Sequence, residues 1–283
     1  MISNQQDSPQ MRGISTVRRI ISLVPSTTEM LYFLGLQERV VGVTDHCDFP
    51  EEAKKKYKVG TFAQPQLPVI ISLKPDLVLA DRALHRKAIE ELTSAGIRVL
   101  AYSPSSVEDV LLIMSKIGQA CDAESASGPL IESLRERVRR LSLKPEGKRP
   151  RVFRLMSTDP FITPGTGSFQ YDALRLAGAR QMDFQSQDAY VKVSFDQIIE
   201  FNPEVILFCG IARGQAPPPR CKGCHVGKPA CQRTADDIIT GDWEQIEAVR
   251  EKRFYPIPCH TICRPGPRLI DGMEMLYNCC LNI

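Results

Sequence analysis

The residues best suited to chemistry in this 283-residue chain are thiol and imidazole groups concentrated between positions 209 and 263. Thiolates two residues apart can reach one metal ion or one metal cluster from a single tight turn. The centre of the segment, CKGCHVGKPAC, is such a Cys-x2-Cys-His-x5-Cys run. The sequence therefore predicts a metal centre, and its candidate ligands here are Cys209, Cys221, Cys224, His225, Cys231, Cys259 and Cys263.

Two kinds of metal centre satisfy this spacing. A closed zinc site uses four thiolates, or three thiolates and one imidazole, and would staple the loop. An iron–sulfur cluster uses the same thiolates and adds redox function. The Cys-x2-Cys spacing does not separate them. Because the candidate ligands exceed the number that one structural zinc requires, we favour an iron–sulfur cluster and keep zinc as the alternative.

Composition and charge exclude several classes of protein. Hydrophobic residues make up 43% and charged residues 24% of the chain, as in soluble globular proteins. A net charge of +3, with no basic run interleaved with aromatics, gives no indication of a nucleic-acid partner. No segment approaches the roughly 18 apolar residues of a membrane span. The polar start, MISNQQDSPQMRGISTVRR, lacks the apolar core of a secretory signal, so we expect a cytoplasmic protein.

Short apolar runs alternate with helical patterns in both halves of the chain. This alternation indicates parallel sheets that are covered by helices on both faces. We therefore predict the α/β class, with two doubly wound lobes. The predicted strands are Arg19–Val24, Val40–Val43, Leu77–Ala80, Ile97–Tyr102, Arg151–Met156, Glu204–Phe208 and Phe254–Ile257.

A long helical segment without strands separates the two halves. Ser105 and Glu108 have the spacing of a capping box, and a stripe of apolar residues follows at helical spacing. After a break near Asp122–Pro129 the helical pattern continues, which predicts a long backbone helix between the lobes. The predicted parts are a flexible N-terminus (1–18), an N-terminal α/β lobe (19–104), a helical connector (105–149) and a C-terminal α/β lobe (150–283) with a cysteine-rich insertion (209–235).

Several motifs occur in a distinctive order from Arg19 to Leu276. They are IISLVPSTTEMLYFLG, VVGVTDHCDFPEEA, VGTF, ISLKPDLVLA, DPFITPGTGSF, VSFDQIIEFNPEVILF and CRPGPRLIDGMEML. Their order and spacing resemble the vitamin B12-binding class of ABC-transporter substrate-binding proteins, the helical-backbone metal receptors. The resemblance implies that a flat cofactor lies in the cleft between two lobes, walled by aromatic rings.

The same resemblance assigns individual residues to that cleft. Phe62, Phe161 and Tyr190 stand where the family places stacking aromatics, and Arg264 stands where a basic residue meets the polar rim of the cofactor. Flat rings suit a corrin or porphyrin because they bury a large apolar area with few rotamers to freeze. His46 and His260 are candidate axial ligands to cobalt or iron.

Further candidate ligands follow predicted strands. Ligands of doubly wound lobes gather at the carboxyl ends of strands, so residues after three strands can converge on the cleft. The predicted metal ligands are therefore Cys47, Cys209, Cys221, Cys224, Cys231, Cys259 and Cys263, while Cys121, Cys279 and Cys280 lie on helical patterns and are expected to be buried.

The motifs favour binding without turnover. The chain contains no GxSxG, Walker A or GxGxxG motif, and we do not expect an enzyme. We predict non-catalytic binding of a corrinoid (cobalamin-like) or metal-complex cofactor beside a cysteine-ligated metal or iron–sulfur centre. Two alternatives stay open. One is the substrate-binding component of a B12 or iron-chelate ABC transporter, with a permease as partner, and the other is an iron–sulfur redox protein with a redox partner.

Overall fold

Two parallel sheets, one in each half of the chain, form the framework of the fold. The computed structural model describes residues 16–142, 149–218 and 229–281. The strands of the first sheet are β1 (Ile20–Ser22), β2 (Val40–Val43), β3 (Leu77–Asp81) and β4 (Val99–Tyr102). Their order is β2-β1-β3-β4, and every pairing is parallel. Parallel neighbours require crossover connections, which here contain α1 (Pro25–Phe33), α2 (Leu67–Ser72) and α3 (Arg86–Ser94).

Both faces of the first sheet are buried. Successive side chains of a strand point to opposite faces, so neighbours in β1 and β3 enter different cores. Ile20 and Leu79 belong to one hydrophobic cluster, whereas Ile21 and Val78 belong to another. This explains why the strands read as continuous apolar runs in the sequence.

The connector between the halves is a helical hairpin rather than one continuous helix. The chain reverses at Asp122, whose φ of +51° lies in the left-handed region, while Pro129 stays within the second helix. Glu108, near the start of the first helix, pairs with Arg135, late in the second, at 3.1 Å, so the two run antiparallel. These helices are α4 (Val107–Ala120) and α5 (Glu124–Ser142).

The helix cap that opens α4 is one residue later than the sequence suggested. Ser106, not Ser105, is the N-cap, and its hydroxyl accepts a hydrogen bond from the backbone N–H of Asp109 at 3.0 Å. The Asp109 carboxylate in turn accepts from the N–H of Ser106 at 3.1 Å, which completes a capping box.

The second half combines a parallel sheet with a small antiparallel one. Its strands are β5 (Val152–Leu155), β6 (Ser157–Thr158), β7 (Phe161–Pro164), β8 (Tyr190–Val193), β9 (Val205–Cys209) and β10 (Phe254–Ile257). Its helices are α6 (Phe169–Leu176), α7 (Phe195–Phe201), α8 (Glu247–Arg250), α9 (Cys259–Ile262) and α10 (Arg268–Leu281). Parallel strands β10-β9-β5 confirm the predicted α/β class, and the antiparallel sheet β6-β7-β8 is an addition that the sequence did not reveal.

The two halves share one hydrophobic core. Ile20 of the first sheet and Met114 of α4 belong to the same cluster as Phe169 of α6 and Leu269 of α10. Such a shared core holds the halves together more firmly than a flexible hinge would. The predicted domain boundaries stay a prediction. None of the helices in the described ranges is long and apolar enough to cross a membrane.

Candidate functional site

A cavity of about 410 Å³ lies where the two halves of the chain face each other. The first half contributes residues at or just beyond the carboxyl ends of its strands, among them Val24, Asp81 and Ser103. The second half contributes Tyr190 and Cys263. Ligands of open α/β sheets bind at this end of the strands, and the volume is within the roughly 300–1,000 Å³ typical of small-molecule sites.

Phe62 forms one wall of the cavity, and two histidines hold its backbone. His85, which is 2% exposed, accepts a hydrogen bond at Nδ1 from the backbone N–H of Asp81 at 3.0 Å. Its Nε2 therefore carries the hydrogen and donates to the carbonyl of Phe62 at 2.6 Å. His46 accepts from the N–H of Phe62 at 3.3 Å. The predicted axial ligand His46 thus lies behind Phe62 instead of lining the cavity, and His85 is a site residue that the sequence reasoning missed.

Tyr190 lines the cavity from the second half of the chain, at the start of β8. Its side chain is 52% exposed, but the walls around it partly desolvate the phenol. This desolvation raises the pKa of Tyr190, and the neighbouring Cys263 and Asp81 raise it further. Tyr190 is therefore a neutral hydrogen-bonding group at pH 7. The structure brings Phe62, Tyr190 and Cys263 to one cavity, while their roles in binding stay predictions.

Phe161 does not line this cavity. Its ring packs against Phe195 at 5.9 Å and against Trp243 at 5.8 Å, beside the hydrophobic core of the second half. Strand β7 presents this side chain to the core because it pairs with β8 inside the antiparallel sheet that the sequence did not predict. The sequence-based placement of Phe161 against the ligand is corrected accordingly.

Arg264 joins the two halves of the chain. It binds the Asp48 carboxylate through two nitrogens, at 2.6 and 3.2 Å, and contacts Glu29 of α1 at 3.2 Å. Arg268 binds the same Glu29, at 2.6 and 2.8 Å, and its guanidinium stacks 3.7 Å from the centre of the Phe49 ring. Burial alone would raise the pKa of Asp48, but Arg264 outweighs it and lowers that pKa. The predicted role of Arg264 at a cofactor rim stays untested.

His260 lies on α9 near the same arginines. Burial lowers the pKa of its imidazole, and the charges of Arg268 and Arg264 lower it further. The imidazole is therefore neutral at pH 7, which is the form that binds metals. It is not one of the residues that line the cavity within the described chain.

Cys47 is a core residue rather than a ligand at the cleft. Its side chain is 1% exposed and accepts a hydrogen bond from the Thr28 hydroxyl at 3.0 Å. Burial raises the pKa of this thiol, so it stays protonated. The sequence placed Cys47 correctly after β2, but the side chain belongs to the hydrophobic cluster that the two halves share.

Cys209 and Cys263 meet at a buried arginine. Arg154 is 1% exposed, and its NH2 nitrogen lies 2.8 Å from the sulfur of Cys209 and 3.6 Å from that of Cys263. Cys231 lies in a short 3-10 helix at Ala230–Gln232 and is half-buried. Cys221, Cys224 and the side chain of Cys259 lie outside the described residues. Within the described part, no three His, Cys, Asp or Glu side chains come together as metal ligands.

Comparison with known proteins assigns the chain to a class. Residues 20–260 match the family described as "Periplasmic binding protein". An ABC transporter substrate-binding lipoprotein of Bacillus subtilis (strain 168) is 32% identical over 268 residues, covering 92% of this chain and 78% of the relative. The vitamin B12-binding protein of Yersinia pestis (strain Pestoides F) is 29% identical over 194 residues, 68% of this chain and 69% of the relative.

A solved structure shows the same fold. The periplasmic vitamin B12-binding protein of Vibrio cholerae superposes with a TM-score of 0.76 at 21% identity, covering 94% of this chain and 97% of the other. The fold, the cleft and these matches define the class as that of two-lobed substrate-binding proteins. The chain belongs to the periplasmic binding protein family. The expected cytoplasmic location is wrong, because the family is one of periplasmic proteins and the Bacillus relative is a lipoprotein.

Proposed function

We propose that this chain is the substrate-binding component of an ABC importer and that it captures a corrinoid in the cleft between its halves. The observation that carries the proposal is the cavity at the strand ends, which is lined by Phe62 from the first half and by Tyr190 from the second. The vitamin B12-binding relatives support the choice of ligand, and the lipoprotein relative supports a permease as partner.

The chemistry of the walls fits a flat macrocycle with a polar edge. Aromatic rings bury large apolar faces, while the phenol of Tyr190 and the carboxylate of Asp81 offer polar contacts for amide groups at the rim. The two histidine hydrogen bonds to the backbone of Phe62 fix the loop that carries this ring. Ligand binding therefore costs little further conformational entropy in this loop.

The direct test is titration of the purified protein with cyanocobalamin, followed by calorimetry. Phe62→Ala and Tyr190→Ala should each weaken binding by about 1–3 kcal/mol, since each removes one apolar wall. Tyr57→Ala is the matched control, because Tyr57 is an exposed aromatic (58%) that does not line the cavity. Unchanged affinity in both cleft variants would refute the cleft as the site, and tight binding of haemin but not of cyanocobalamin would replace the corrinoid with a porphyrin.

A second candidate function is an iron–sulfur or zinc centre built on the cysteine segment. The contact of Arg154 with two cysteine sulfurs favours it, because a guanidinium stabilises sulfur in its thiolate form. Its ligands would be drawn from Cys209, Cys221, Cys224, Cys231, Cys259 and Cys263. Cys47 is not among them, since it is hydrogen-bonded in the core.

Metal analysis tests this second proposal. Protein purified without oxygen should contain iron and acid-labile sulfide, and the Cys221→Ser/Cys224→Ser variant should lose both. Cys47→Ser is the matched control and should keep them. If the protein contains zinc but no iron, the cysteine segment is a structural zinc site. If it contains neither metal, the proposal of a metal centre is refuted.

A further inference from the structure

A basic groove of about 790 Å³ runs beside β4, the outer strand of the first sheet. Strand β4 forms its floor, α3 contributes Arg86 and Ile89 to one side, and the end of α4 contributes Lys116 and Ala120 to the other. The groove has about twice the volume of the cleft cavity, and the proposed capture of a corrinoid makes no use of it.

The charge of the groove is one-sided. Four cationic side chains line it, namely Arg82, Arg86, Arg98 and Lys116, against the single carboxylate of Glu90. All four are exposed, and within the described residues none of them forms an ion pair. Like charges gathered in a concave surface attract an anionic partner and speed its association.

The floor of the groove carries backbone groups that face away from the sheet. The carbonyl of Arg98 accepts a hydrogen bond from the N–H of Val78 in β3 at 2.9 Å, and the carbonyl of Tyr102 accepts from the N–H of Arg82, just after β3, at 3.0 Å. Backbone groups of alternate residues in a strand point to opposite sides. Those of Val99 and Ala101 therefore point into the groove. The Arg82 guanidinium reaches the Ala101 carbonyl from that side at 3.1 Å.

An outer strand flanked by cations fits one kind of occupant. We propose that the groove binds an acidic segment of a partner protein, which adds to β4 as a further strand. Backbone hydrogen bonds from Val99 and Ala101 would align the segment, and the arginines would pair with its carboxylates. A second copy of this chain does not fit, because pairing β4 with β4 would bring the same cations together.

This surface also adjoins the cleft. Tyr102 lines both the groove and the cleft cavity, so a strand added to β4 would share a lining residue with the cleft. A partner bound in the groove is therefore close enough to detect whether the cleft is occupied. The docking itself does not depend on which substrate the cleft binds.

The test uses the full chain and a labelled peptide of about eight residues that alternates Glu and Val, a usual strand length. Fluorescence anisotropy should show binding that weakens with salt. Arg86→Glu/Arg98→Glu should weaken it roughly tenfold or more, whereas Lys87→Glu should not, because Lys87 is exposed on the same helix but outside the groove. Ala101→Pro should also weaken it, since it removes a backbone N–H that faces the groove.

A second peptide separates strand addition from simple charge attraction. The same sequence with an N-methyl group on every residue keeps its carboxylates but has no backbone N–H on either edge to donate to a ladder, and it should bind at least several-fold more weakly. Equal binding of the two peptides would overturn strand addition. Absence of binding by the unmodified peptide, with the fold intact by circular dichroism, would overturn the docking site altogether.

Discussion

At the residue scale, the cleft depends on a side chain that lies behind its wall. His85 bridges the N–H of Asp81 and the carbonyl of Phe62, and it is almost fully buried. His85→Ala would leave both backbone groups without this partner and open a void, so we expect a loss of about 2 kcal/mol or more in the free energy of unfolding. Urea denaturation measures this loss, and cyanocobalamin affinity should fall with it because Phe62 is no longer held.

His46 provides the matched comparison for His85. It bonds the same residue, but at 3.3 Å and from a half-exposed position. Water can replace such a bond, so His46→Ala should change the free energy of unfolding by less than about 1 kcal/mol. Equal effects of the two substitutions would show that burial of His85 does not matter to the wall.

At the element scale, the sequence predicted regular elements well and long-range pairing poorly. Strand β2 and the parallel sheets follow from apolar runs bounded by helical patterns, since both faces of each sheet are buried. The antiparallel sheet was missed because its strands have two to four residues and β7 pairs with β8 across a long excursion. The cap of α4 was misplaced by one residue because Ser105 and Ser106 are adjacent, and it is Ser106 that has an extended backbone and accepts the capping hydrogen bond.

The candidate site was predicted only in part, for related reasons. Phe62 lies in a loop and Tyr190 lies at the start of a strand. A resemblance to a family of known architecture is enough to assign aromatic residues to such positions. The placement of Phe161 in the cleft was wrong because the direction of its side chain depends on the pairing of β7, which no local sequence pattern encodes. His85 carries no motif at all, since its role arises from two backbone groups that meet only in the folded chain.

At the scale of the whole molecule, the halves are tied by an ion cluster as well as by their shared core. Glu29, 3% exposed, lies between Arg264 and Arg268, and Arg264 extends the cluster to Asp48. A buried carboxylate between two cations is costly to disturb, because removing its charge leaves guanidinium groups that water reaches only partly. The cluster therefore connects the first half, through Glu29 and Asp48, to the arginines of the second half.

Glu29→Gln tests this arrangement. The substitution keeps the shape of the side chain but removes its charge, and we expect the free energy of unfolding to fall by about 2–4 kcal/mol. Arg135→Gln is the matched control, since it also breaks two ion pairs but with a partly exposed arginine and exposed carboxylates, where a loss below about 1 kcal/mol is expected. If denaturation shows the same small loss for both variants, the shared core alone holds the halves. If Glu29→Gln is the more damaging, its cyanocobalamin affinity should fall as well, because Phe62 and Tyr190 then face each other across a looser cleft.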